Sequence, residues 1–168
     1  MSEGDAGERA PVAAALDALA DSWARAWAGR GGFAACCTPD VSYEDPLAVA
    51  PLHGAAALGE YASRVRVAIP DLRVERMARR VGDQAHACLP WRAAGTHTGQ
   101  LGDLPASGRA VTLHGVHYIE LADGRIRRAR GFFDLYGVAT QLGFLPARGS
   151  LGETAVLLLG GFGLRARR

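Results

Sequence analysis

The sequence predicts an α+β domain, with helices first and a curved antiparallel sheet after them, the helices wrapping the sheet into a cone. Three observations carry this. Apolar residues recur every three or four positions up to about residue 70, they alternate beyond it, and turn dipeptides cut the second half into strands. A bent sheet covered by helices leaves a hollow open at one end, a natural small-molecule pocket.

From Pro11 to about Arg30, Leu16, Leu19, Ala20, Trp23 and Trp27 define the apolar stripe of a first helix, and Pro11 suits its first turn. The Trp23 and Trp27 pair reads as core packing. "GRGG" stops the helix, a short helical piece follows around Phe33 to Cys37, and "TPDVSYEDP" gives a brief strand from Val41 to Asp45, closed by Pro46. A second helix runs from Ala55 to Ile69 on the face of Leu58, Tyr61, Val65 and Ile69, and "PD" ends it. Four strands follow: Leu72 to Val81, Gln84 to Thr98, Ala110 to Leu121 and Arg125 to Asp134. A "DG" hairpin joins the last two, and the Gly- and Pro-rich stretch at 99–109 is an exposed connector. A short helix from Leu135 to Leu142 closes the fold.

At 168 residues and 17.6 kDa the chain suits one core. We assign residues 1–10 to a frayed N-terminus, 11–146 to the domain, and 147–168 to a C-terminal extension of open role. A net charge of +2, with arginines balanced by acids, argues against nucleic-acid binding. The longest apolar stretch, residues 155–164, is too short to span a bilayer. Three cysteines, two of them adjacent and none in CxxC spacing, point to buried thiols in a reducing cytoplasm and to no metal site.

"YEDP", "IPDLRVE", "WRAAGTHTGQLGDLPASGRAV", "GVHYIELADGRIRRARGFFD" and "QLGFLP", in that order over residues 12–146, resemble the SnoaL-like polyketide cyclases of the NTF2-like superfamily. The resemblance implies the NTF2-like cone and a homodimer or homotetramer. It also implies cofactor-independent ring closure or rearrangement of a polyketide-like or aromatic intermediate in secondary metabolism. An epoxide hydrolase of the same fold, a hydroxylase-type relative and a non-catalytic ligand-binding module are the alternatives. The hydrolase pattern of an Arg with an acid two residues on is not met by "RAA" at Arg92 to Ala94.

The resemblance places Asp134 where the cyclases carry their catalytic acid/base. Flanked by Phe132 and Phe133, its carboxyl is expected to lose hydration, so that its pKa rises toward neutrality. The alternative is a helix N-cap. Tyr43 and Asp45, two apart on one strand, share a face as pocket-lining residues; Asp45 equally suits a turn before Pro46. Trp91, Ala93, Gly95 and His97 share a face if no bulge intervenes, which lines the cone with an aromatic wall and an imidazole; the resemblance, through "GTHTG", implies His97 as a proton donor or orienting group, and Trp91, Phe132 and Tyr43 are expected to hold the planar substrate. Either His114 or His117 faces the cone, and His117 is the preferred second donor. Neither a metal nor a flavin motif is found, and no cofactor is expected.

Overall fold

The computed structural model describes residues 3–77 and 79–159. Helix α1 spans Glu3–Trp27, a 3-10 turn spans Phe33–Ala35, and strands β1 (Cys37–Glu44) and β2 (Leu52–His53) lead into helix α2 (Gly54–Ala68). Strands β3 (Arg73–Arg76), β4 (Val81–Gly82), β5 (His86–Thr96), β6 (Ala110–Ala122) and β7 (Arg125–Phe133) follow, then helices α3 (Leu135–Leu142) and α4 (Leu151–Leu159). Helix α1 starts at Glu3, ahead of the expected start at Pro11. The expected single strand from Leu72 to Val81 is two short strands, β3 and β4, both antiparallel to β5.

The sheet order is β2-β1-β7-β6-β5-β3, with β4 also on β5, so the two edges do not meet. It is mixed, which corrects the all-antiparallel expectation: β1 runs parallel to β7, with Tyr43 opposite Ala129 and Glu44 opposite Arg130. The long connection that parallel pairing needs is supplied by β2, α2 and strands β3 to β6, through which the chain passes before β7 returns beside β1. Alternation along one strand cannot reveal which partner it will meet. The β6–β7 hairpin turns on Asp123 and Gly124, both with positive φ (51° and 72°), the backbone a tight primed turn requires.

Helices α1 and α2 pack their apolar stripes on the sheet, burying Leu16, Trp23, Trp27, Leu58 and Ala62 against Val41, Leu89, Ile119 and Ile126. Fully burying residues such as Leu58 and Ile126 contributes about 1.5–3 kcal/mol each. A second, smaller cluster gathers Ala68, Ile69, Val111 and Leu142, with Leu72, Leu113, Val138 and Phe144 packed on it. The hollow of the cone lies between the two clusters. Helix α4 is attached to α3 at its start, where Tyr136 Oη donates to Glu153 Oε1 (3.2 Å) and Ser150 Oγ caps the Glu153 amide (3.2 Å). Its Leu151, Val156 and Leu157–Leu159 are exposed. The rest of the C-terminal extension, 160–168, lies outside the described residues. Among the described residues no helix is long and apolar enough to cross a membrane.

Candidate functional site

The hollow is a cavity of about 110 Å³ walled by Trp27, Tyr43, Tyr61, Trp91, His117 and Phe133, with Ile69, Val111, Leu113, Val138 and Leu142 toward the second cluster. Of its lining residues, Asp45 alone carries a carboxylate and His97 and His117 alone carry an imidazole.

Asp45 follows the last residue of β1. Its Oδ1 accepts from the amides of Leu47 and Ala48 (2.8 Å each), which is the Asx turn expected ahead of a loop. Tyr43 Oη donates to Oδ2 at 2.8 Å, and Tyr61 Oη, from α2, reaches both oxygens at 3.0 Å. Burial, and then the charge of Asp45, push both tyrosine hydroxyls above their ordinary range, so they remain protonated donors. The close approach depends on Gly131 of β7: a Cβ there would sit 3.0 Å from Tyr43 Oη and 3.1 Å from Asp45 Cβ.

His117 of β6 lies behind Tyr43 and is buried, while His114 on the same strand is exposed. The indole Nε1–H of Trp23 donates to His117 Nδ1 at 3.2 Å; since indole can only donate, the ring proton is on Nε2. That nitrogen faces Tyr43 Oη at 3.5 Å. The polar groups thus form one directional chain, from Trp23 through His117 and Tyr43 to Asp45. Burial depresses the His117 pKa to about 3, so the imidazole is neutral at physiological pH. Trp91 stacks on it at 5.3 Å and 26°, and can do so because it lies over Gly115, directly opposite on β6, where a Cβ would come within 2.3 Å of the indole.

His97 occupies the other end of the cavity, one residue beyond β5, and is fully buried. Its Nδ1 accepts the backbone N–H of Ser107 at 3.2 Å, which again leaves the proton on Nε2, and Nε2 has no hydrogen-bond partner. The indole nitrogens of Trp27 and Trp91 are also buried without partners.

Asp134 is outside. Its side chain is exposed, its Oδ1 accepts the Gly137 amide at 2.8 Å as the N-cap of α3, and it does not line the cavity. The expected desolvated carboxyl in the cone is therefore corrected. Along β7 the inward residues are Ile126, Ala129, Gly131 and Phe133, so the next residue leaves the face. The same parity corrects Phe132, which is 48 % exposed on the outer face while Phe133 lines the cavity. Arg92 also points out of the cone and pairs with Glu75 at 3.5 Å. Trp27 and Tyr61 are wall residues that helical periodicity treats as plain core. The available signal was a tyrosine hydroxyl in the apolar stripe of α2. Among the described residues no group of three His, Cys, Asp or Glu side chains is arranged to hold a metal ion.

Comparison with known proteins agrees with this architecture. A family model described as SnoaL-like polyketide cyclase matches residues 13–142. Aklanonic acid methyl ester cyclase DnrD of Streptomyces peucetius is 39 % identical over 59 residues, which span 32 % of this chain and 41 % of that protein. A candidate SnoaL-like polyketide cyclase from Jannaschia sp. CCS1 superposes with a TM-score of 0.70 at 20 % identity, covering 81 % of this chain and 96 % of that one. AclR, a candidate hydroxylase from Streptomyces galilaeus, superposes with a TM-score of 0.62 at 19 % identity, covering 89 % and 91 %. At these identities the two superpositions establish the fold.

Proposed function

The chain belongs to the SnoaL-like polyketide cyclases, and from that premise we propose that its cavity closes a ring in an aromatic or polyketide-like intermediate by intramolecular aldol addition. The observation that carries this reading is a carboxylate, that of Asp45, on the wall of an otherwise aromatic and aliphatic hollow. Asp45 takes the proton from a carbon flanked by carbonyl groups. The electron pair of that C–H bond delocalises onto the carbonyl oxygens as an enolate. The enolate carbon attacks a second carbonyl of the same molecule, and the proton held by Asp45 returns to the new alkoxide. The sequence is redox-neutral, and its atoms balance without a co-reactant.

In this reading Tyr43 and Tyr61 aim the carboxylate, and the neutral His117 holds Tyr43. Trp27, Trp91 and Phe133 keep the planar substrate folded, so that the two carbons meet at small entropic cost. Asp134 has no part in the chemistry. The outer sheet face, with Tyr118 and Phe132 exposed, is compatible with the homodimer or homotetramer expected for the family, which light scattering measures directly.

The first step can be tested before the natural substrate is known. Aromatic 1,3-dicarbonyl probes, and aklanonic acid methyl ester as the compound in the name of DnrD, are incubated in D2O and followed by NMR. The expected result is protein-dependent deuterium exchange at the central carbon, lost in Asp45→Asn. Exchange that is unaffected by this substitution, or saturable binding with no exchange on any probe, defeats the proposal; the latter outcome marks a binding module.

A further inference from the structure

We propose that helix α4, together with the arginines that follow it in the sequence, docks the protein on an anionic bilayer surface. The docking goes beyond the ring-closing chemistry and does not depend on it.

Helix α4 is bare and apolar. Leu151 and Leu159 are 89 % exposed, Val156 is 53 % exposed, and Leu157 and Leu158 are 48 % exposed each. Successive helical residues point about 100° apart, so the four apolar residues from Val156 to Leu159 leave the last turn without a polar side. A helix that is apolar all round belongs in apolar surroundings, and 9 residues are too few to hold a helix in water without them. The stretch is too short to cross a bilayer, so it lies on one.

The charges around the helix select the surface. Glu153 is the only acid between residues 147 and 168, and it is turned toward the domain. Its carboxylate accepts from Tyr136 Oη at 3.2 Å and from the Gly149 amide at 2.6 Å, while Gly152 packs so closely that a Cβ there would lie 3.0 Å from Pro146 Cβ. The first turn of α4 is thereby fixed, with its acid engaged. The ionisable side chains that remain are all cationic: Arg148 ahead of the helix, and Arg165, Arg167 and Arg168 after it. Leucines flanked by arginines match a surface that is apolar beneath and negative at its headgroups, and the two signals together attach a protein where either alone is weak. A nucleic acid would engage the arginines and leave the leucines bare. A second copy of α4 would cover the leucines and add charge of the same sign.

Helix α3, which carries Tyr136, also gives Val138 and Leu142 to the cavity wall. Docking through α4 therefore keeps the cavity close to the lipid.

The full chain is tested by flotation with vesicles of phosphatidylcholine, with and without phosphatidylglycerol. Binding is expected only where phosphatidylglycerol is present, and it should weaken in about 1 M salt, where charges are screened within about 3 Å. The triple variant Arg165→Ala, Arg167→Ala, Arg168→Ala should bind about 10²-fold more weakly. The double variant Leu157→Gln, Leu158→Gln should lose about tenfold or more, and circular dichroism should show its domain still folded. No binding to the anionic vesicles, equal binding to phosphatidylcholine alone, or binding unchanged in either variant would overturn the proposal. So would arginine-dependent binding of a DNA duplex without vesicle binding, or a dimer in light scattering that the leucine variant abolishes.

Discussion

Asp45 and Asp134 stand at equivalent places: each follows the last residue of one of two adjacent parallel strands, β1 and β7, and each accepts backbone N–H bonds from the turn that follows. Their surroundings separate them. Asp45 keeps the inward direction of Tyr43, enters the cavity and collects two tyrosine hydroxyls. Asp134 comes one residue after an inward Phe133, so it leaves the face and serves the helix alone. The lesson is that a carboxylate's role is set by strand parity and by what other elements bring to it, not by its local motif.

The sharpest way to break this comparison is activity. Asp45→Asn is expected to lower turnover by about 10²–10⁴-fold, the range for a lost general base, while Asp134→Ala stays within a few-fold, both measured by product formation with chromatography and mass spectrometry. The reverse pattern in folded variants would exchange the roles of the two residues.

The polar chain behind Asp45 should show in the pH dependence of stability. His117 has a folded-state pKa near 3, below its unfolded value near 6.5. Between these values the unfolded chain binds the proton and the folded one does not, so stability falls as pH falls through that window, by about 1.4 kcal/mol per unit at most. Urea unfolding from pH 7 to 4 is expected to show this slope, and His117→Gln to flatten it; an unchanged slope in the variant would place the titration elsewhere.

Removing the Tyr61 hydroxyl in Tyr61→Phe takes a donor from Asp45 and should cost about 1–3 kcal/mol by urea unfolding, with reduced turnover because the carboxylate is less firmly aimed. The smallest effect belongs to the outer aspartate. Asp134→Ala is expected to cost about 1 kcal/mol, the value of an N-cap, and Asp134→Asn close to nothing because Asn also caps. Faster hydrogen exchange at the Gly137 amide would localise the loss to the start of α3.

Much of the fold was legible because it is written in short-range periodicity. Helix α3 was expected at Leu135 to Leu142, where it stands, and α2 is displaced by one residue. The parallel pairing of β1 with β7 was not, since it joins segments some ninety residues apart. For the site, alternation put Trp91 and His97 on one face and left His114 and His117 open; the helices then had to cover one face for either to become the inside. Tyr61 was read on a helix stripe as core, and its hydroxyl found Asp45 only because α2 packs across β1.

Sequence by itself determined the order of helices and strands, their turns, the helix-covered cone and the family. All but the family follow from side-chain periodicity and backbone preference, which act over a few residues; the family follows from the run of motifs that resembles it. Tertiary structure alone decided which aspartate is inside, which histidine nitrogens carry protons and which donors go unpaired. Those properties depend on burial and on partners from distant strands and helices, and they exist only once the sheet has curled and its two clusters have left a hollow between them.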